Sequence, residues 1–222
     1  MWFGQSFRTL SLKVKLISSY LVILAVGGLA TSVLGSWIVS STIMRQAEQR
    51  VDRHLATART VYEQQLQTLK RTVAITAFGT TIPDYLAAGD RASLLRYLRA
   101  IREETPYDFL ALTDARGRVI LRASQPDQAG DDVSSIRVVS AALSGGVAAA
   151  TEILSADLLN NEDPLLRARA YFHFVPTPKA KPVSKMEETS GMVLIAAAPI
   201  RGRNGEVSGT LYGGVLLNRN LE

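Results

Sequence analysis

The segment RARAYFHFV, Arg167–Val175, alternates polar and apolar residues. As a strand of period two it puts Arg169, Tyr171 and His173 on one face and Ala170, Phe172 and Phe174 on the other. In SGTLYGG the residues Ser208, Thr210 and Tyr212 share a face in the same way, and in RVILR so do Arg118 and Arg122. Guanidinium groups fork onto carboxylates through two parallel hydrogen bonds, and tyrosine hydroxyls orient what is held. If these faces converge, the chemistry is recognition of a small carboxylate, an organic or amino acid. Arg122, Arg169, Tyr171, His173, Thr210 and Tyr212 are therefore the candidate ligand-binding residues. The same alternation also suits a half-exposed antiparallel strand with its polar side chains in water, so the pattern alone leaves both readings open.

Nothing in the sequence points to catalysis. It contains no GxSxG, GxxxxGK[ST], HExxH or GxGxxG motif. The two histidines, His54 and His173, lie far apart with no cysteine to join them, and His54 between Arg53 and Leu55 reads as a solvated position. Asp114, Asp131, Asp132 and Asp157 lack the spacing of a calcium loop, so neither a metal nor a cofactor is expected. The net charge of +5, from 25 basic and 20 acidic residues, is spread along the chain with no basic-aromatic cluster. That disfavours nucleic acid as a partner. Gly209, Gly213 and Gly214 read as places where a strand passes close under a helix, rather than as a phosphate cradle.

The elements that position these residues follow from periodicity. From Arg45 to Phe78 there is neither Gly nor Pro, and Ala47, Val51, Leu55, Ala58, Tyr62, Leu66, Leu69, Val73 and Ala77 draw one apolar stripe. This predicts a helix of about nine turns, long enough to outlast one small domain and to meet a partner helix in a homodimer. Gly79–Pro83 breaks it, and Asp90 caps a second helix over DRASLLRYLRAIREE, with Leu94, Leu95, Leu98 and Ile101 inward and its arginines on a solvated face. Two strands joined at Asp114–Gly117 come next. A short helix follows Asp131-Asp132 and ends at Gly145, and Ala148–Leu154 reads as a strand. Ala156–Leu166 is a loop or a broken helix. Pro176–Ser190 is a proline-rich loop, and two further strands, Met192–Ile200 and Val207–Leu217, are joined by a hairpin through Asn204-Gly205. The sum is an α+β domain with an antiparallel sheet, the long helix on one face and the short helix and loops on the other.

The N-terminus places this domain. Leu16–Met44 carries no charge, and a bilayer core needs about 20 apolar residues in a helix. Arg8, Lys13 and Lys15 precede it without an acid, so the N-terminus is expected in the cytoplasm and Arg45 onward outside. The run is too long for a cleaved signal peptide. The small residues Gly27, Thr31 and Gly35 share a face on which two such helices could approach. The expected organisation is a cytoplasmic tail over 1–15, a transmembrane helix over 16–44 and an extracytoplasmic domain over 45–220, with the long helix at 45–78 and the sheet core at 107–218.

FLALTDARGRVILRAS, GDDVSSIRVVSAALSGG and AAAPIRGRNGEVSGTLYGGVLLNRN together resemble the Cache sensor domains of bacterial receptors, particularly single-Cache modules. The shared pattern is a strand ending in Asp114, a turn with Gly117 and a strand ending in Arg122. Gly130-Asp131 then opens the covering helix, and Pro199-Ile200 leads through a turn to a Gly-rich strand ending in Leu217-Asn218. The resemblance implies a PAS-like sheet and favours Arg122 as a ligand contact. It also implies the front half of a sensor histidine kinase of a two-component system in the bacterial inner membrane, with its sensor domain in the periplasm. Such a protein continues through a second membrane helix into a HAMP linker and an output domain. A methyl-accepting chemoreceptor, or an ectodomain that reads a partner protein and binds no small ligand, are the alternatives.

Overall fold

The computed structural model describes residues 12–175, 177, 181, 185–202 and 204–218, and of residues 12, 14, 15, 18 and 35–54 it describes the helical backbone only. The chain divides into two units, 1–60 and 61–222.

In the first unit the chain is helical from Leu12, the start of helix α1, which runs to Phe78. The described side chains Leu16, Ile17, Leu21–Leu24, Leu29, Val33 and Leu34 are exposed, as is Leu55 further along. Among the described residues no helix is long and apolar enough to cross a membrane. The expected span at 16–44 is described only in part, since the side chains of Gly35–Met44 lie outside the described set, as do those of Ala47, Val51 and His54.

The second unit begins with the last turns of α1. Of the apolar stripe, Tyr62 is exposed, Leu66 is partly covered, and Leu69, Val73 and Ala77 are buried. Gly79 and Thr80 interrupt the helix, but the chain resumes at once as α2, Thr81–Ala88, which the sequence did not announce. Pro83 sits in its first turn, where no intrahelical N–H partner is lost, and Ile82 is buried. Helix α3, Arg91–Glu104, is capped by Asp90, whose carboxylate accepts from the Ser93 amide at 2.9 Å. Its exposed arginines do more than face water: Arg91 donates to the carbonyls of Ile120 and Pro126, and Arg99 to that of Ala123.

The strands are β1 (Phe109–Asp114), β2 (Val119–Arg122), β3 (Ala148–Leu154), β4 (Phe172–His173), β5 (Glu187–Glu188), β6 (Gly191–Arg201) and β7 (Val207–Leu216). Five of them form an antiparallel sheet in the order β2-β1-β7-β6-β3, and β4 pairs with β5 apart from it. The hairpins close where expected, at Gly117 and Gly205, both with positive φ. Alternation along the strands sends Leu110, Leu112, Leu194, Ala196, Ala198 and Leu211 to one face, beneath Leu69, Val73, Ile82, Leu94 and Leu98. Phe109, Ala111, Val193, Ile195, Ala197 and Tyr212 go to the other, beneath three short helices: α4 (Arg137–Leu143), α5 (Ala156–Glu162) and α6 (Pro164–Ala170). Each buried leucine contributes about 1.5–3 kcal/mol, so both layers are needed to hold the sheet.

Three expectations change. Arg167–Val175 is not one continuous strand: Arg167–Ala170 belongs to a helix, and only Phe172–His173, β4, is paired as a strand, with β5 inside the expected proline-rich loop. Asp163 caps a helix whose first residue is Pro164, with its carboxylate accepting from Leu165 N at 3.0 Å, and α6 continues to Ala170. Arg, Ala and Leu favour that helix, and Leu166 and Ala170, four apart, bury together. Secondly, the helix expected directly after Asp131-Asp132 starts only at Arg137, with Ile136 in the cap position, while Asp132 accepts from the Ser134 amide in the turn before it. Thirdly, Gly209, Gly213 and Gly214 lie against neighbouring strands rather than under a helix: a Cβ on Gly209 would collide with the Thr113 carbonyl oxygen.

Candidate functional site

Register brings Arg122, Ala111, Tyr212, Ala197 and Ala148 into one row across the sheet, each paired to the next. The row lies on the face covered by α4–α6, so Arg122 at one edge and Tyr212 at the centre share a side with only the Ala111 methyl between them. That leaves room for a third side chain, and Glu162, the last residue of α5, supplies it. The Tyr212 hydroxyl donates to Glu162 Oε1 at 2.7 Å, and Arg122 Nε stands 3.0 Å from the same oxygen. All three side chains are buried.

Arg122 is also held from outside. The loop after β2 returns through Gly130, whose positive φ of 96° suits only glycine, and presents Asp131. Asp131 takes a two-pronged contact, Oδ1 from one terminal guanidinium nitrogen at 2.8 Å and Oδ2 from the other at 2.7 Å. The Gln128 carbonyl accepts from Arg122 as well, at 2.9 Å. The fork of the guanidinium is thus spent on Asp131, and only its Nε edge faces Glu162. That contact is imperfect: Nε of Arg122 and Oε2 of Glu162 each lack a hydrogen-bond partner.

One cation therefore stands among two carboxylates. Burial pushes the Glu162 carboxyl above its ordinary range, with the Arg122 charge opposing but shared with Asp131. The hydrogen bond from Arg122 holds the Asp131 carboxyl below the usual range. Burial, seconded by the charge of Glu162, pushes the Tyr212 phenol far up, so it donates at any physiological pH. For Arg122 itself, burial works against the charge, but Asp131 and Glu162 outweigh it and the guanidinium stays protonated.

Of the six candidate residues, Arg122 and Tyr212 are brought together here and the rest are not. Thr210 lies two residues from Tyr212, where its hydroxyl meets that of Thr113 at 2.8 Å. Arg169, on α6, pairs with Asp108 at 3.0 Å, and Asp108 in turn accepts from the Leu216 amide. Tyr171 lines a cavity of about 510 Å³ with Pro164, Arg167, Ala168, Glu187 and Thr189. His173 is exposed, 4.0 Å from Glu187. Sequence reasoning missed Glu162. The signal was there: Asp163-Pro164 marks a helix start, and a helix over 156–162 puts Glu162 three residues from buried Leu159, on the inward side.

An antiparallel sheet of this kind, with helices on both faces, is a PAS-like α+β fold, and on one face it covers a buried polar cluster. The chain belongs to the dCache_3 family, described as the double sensory domain of two-component sensor kinases, which matches residues 44–222. The Cache-type relationship stands; the family is described as a double sensor, where the sequence pointed to a single module, and one five-stranded sheet is found among the described residues. Among solved structures the chain is similar to the sensor domain of the histidine kinase DctB from Vibrio cholerae, at 10% identity and a TM-score of 0.48, covering 79% of this chain and 56% of that one. It is similar to the periplasmic domain of Vibrio cholerae LuxQ, at 18% identity and a TM-score of 0.39, covering 71% and 60%. A third, a domain of a sensory box/GGDEF family protein from Vibrio parahaemolyticus, gives 16% identity and a TM-score of 0.47, covering 73% and 57%. The chain spans between 56% and 60% of the length of these three structures. None of the curated proteins compared with it matches.

Proposed function

We propose that the chain is the ligand-sensing, extracytoplasmic part of a membrane-anchored sensor histidine kinase, and that its ligand is a small carboxylate. The family match supports the sensor-kinase reading. The uncharged run Leu16–Met44, with apolar side chains standing exposed where they are described, supports an anchor in the inner membrane. The basic flank before it supports an N-terminus in the cytoplasm and a sensor domain in the periplasm. Two anchored helices side by side make a homodimer, in which ligand binding favours one of two pre-existing arrangements.

The observation that carries the ligand class is the convergence of Tyr212 Oη and Arg122 Nε on a single carboxylate oxygen. A phenol and a guanidinium aimed at one anionic oxygen, out of water, form a carboxylate-selective pair. Calorimetry and thermal melting of the chain against organic and amino acids test this. Binding in the micromolar to millimolar range, weakened in Tyr212→Phe, is the expected result; no heat and no melting shift with any of them overturns it. Anchoring is tested by whether the chain stays in the membrane fraction after an alkaline wash, with release counting against it.

One observation favours a second reading, in which the domain reads a partner protein. Five cavities of about 210 to 510 Å³ open on the described surface, and Arg122, Thr210 and Tyr212 are not among their lining residues. A domain that melts unchanged with every small acid yet is protected by a periplasmic protein would decide for it.

A further inference from the structure

We infer that Glu162 is a built-in occupant of the carboxylate subsite: its side chain holds the place on Tyr212 Oη and Arg122 Nε that a ligand carboxylate takes, and binding exchanges one for the other. The inference rests on the small-carboxylate reading and adds the mechanism by which the site is kept closed.

Three features carry it. The contacts of Glu162 are those of a bound acid, one oxygen between a phenol and a guanidinium edge. They are also poorly completed, for neither Glu162 Oε2 nor Arg122 Nε has a hydrogen-bond partner. A buried acceptor left unsatisfied is destabilising, so a free carboxylate able to turn and use both oxygens gains what the tethered one forgoes. Charge then dictates exchange over addition. Arg122 already neutralises Asp131, and a ligand carboxylate beside a retained Glu162 would put three anions on one cation. Replacing Glu162 leaves the buried charge unchanged.

The position of Glu162 allows the exchange. It ends α5, and Asp163, extended at φ −162°, breaks the chain before Pro164 opens α6. The side chain can leave by rotation at this corner while Leu159 and Leu166 on either side stay buried. The same corner is in reach of the far face of the sheet, since Arg102 of α3 stands 3.9 Å from Asp163 and bonds Ser124. Movement at Glu162 thus has a path around the β2 edge to the helices that meet α1.

The test uses the 222-residue chain in detergent, with sodium acetate as probe and sodium chloride at equal ionic strength as control. In Glu162→Ala the vacated space is expected to bind acetate saturably, read as a rise in melting temperature, at least about tenfold more tightly than in the unaltered chain, whose site is occupied. Adding Tyr212→Phe to that variant is expected to remove most of the gain. A response to acetate no greater than to chloride, or one unaffected by Tyr212→Phe, overturns the inference. If Glu162→Ala unfolds too readily to titrate, Glu162→Gln replaces it, and equal acetate affinity in the unaltered and Glu162→Gln chains is then the overturning result. The two proposals fail separately. Binding of a metabolite acid by the unaltered chain, with no gain in either Glu162 variant, removes the occupant and keeps the sensor. Acetate binding by the variant, with no acid bound by the unaltered chain, keeps the occupant and removes the small-acid sensor.

Discussion

Tyr107, just before β1, donates its hydroxyl to the main-chain carbonyl of Leu69 on α1 at 2.8 Å, tying the sheet to the helix through one buried bond. The carbonyl is already part of a helix, so the phenol adds a directional link where packing alone would let α1 slide. Tyr107→Phe keeps the ring and removes the link. A loss of about 0.5–1.5 kcal/mol is expected by urea denaturation, and an unchanged midpoint would show the bond to be inert.

Arg122 carries a heavier structural load. Arg122→Ala leaves Asp131 and buried Glu162 without a cation, and removing one partner of a buried pair costs about 3–5 kcal/mol. Arg122→Lys keeps the charge but cannot fork onto Asp131, and falls between the two. Chemical denaturation of the three chains is expected to rank them Arg, Lys, Ala; a Lys variant as stable as the original would mean that the fork contributes nothing.

Glu162 and pH are linked with a definite sign. Its carboxyl is raised above the ordinary 4.5 by burial, so between 4.5 and the raised value the folded chain holds a proton that the unfolded chain has released. Stability is then lost as pH rises through that window. Glu162→Gln does not titrate, so its melting temperature relative to the unaltered chain is expected to climb as pH goes from about 4 upward. A constant difference across that range would refute the assignment. Asp131 works in the opposite sense, losing its contribution as pH falls below its ordinary 3.8, so the acid limb is steeper in both chains.

Gly209 has no space for a methyl group. A Cβ there would run into the Thr113 carbonyl oxygen, a backbone atom already fixed by β1. Gly209→Ala must part β1 from β7 locally, beside the Thr113–Thr210 hydroxyl pair, and overpacking of this kind costs at least about 1–3 kcal/mol. Normal stability in this variant would show that the strand end is free to shift.

Much of this arrangement can be read before any coordinates. The stripe through Leu69, Val73 and Ala77, the Asp90 cap, the glycine turns, the apolar runs of β1 and β6 and the period of two in β7 are local signals, and local hydrogen bonding and burial obey them. Arg167–Val175 shows where such reading fails. Its alternation fits a strand, but the Asp163-Pro164 cap and the burial of Leu166 with Ala170 make α6 the better solution, and tertiary contact arbitrates. With α6 in place, Arg169, Tyr171 and His173 do not form a strand face, and they go to separate surroundings.

The candidate site divides in the same way. Periodicity and residue type determined an α+β domain with Arg122 and Tyr212 on polar positions of their strands, because those facts depend on periods of two, and the sensory reading came from the resemblance to Cache domains. That Arg122 and Tyr212 share a row with Ala111 between them was decided by the register of β2, β1 and β7, which no single strand specifies. That a carboxylate already lies between them was decided by a helix end 40 residues beyond Arg122. Contacts so far apart in sequence are set by the packing of whole elements, and only the folded chain brings Glu162 to its place.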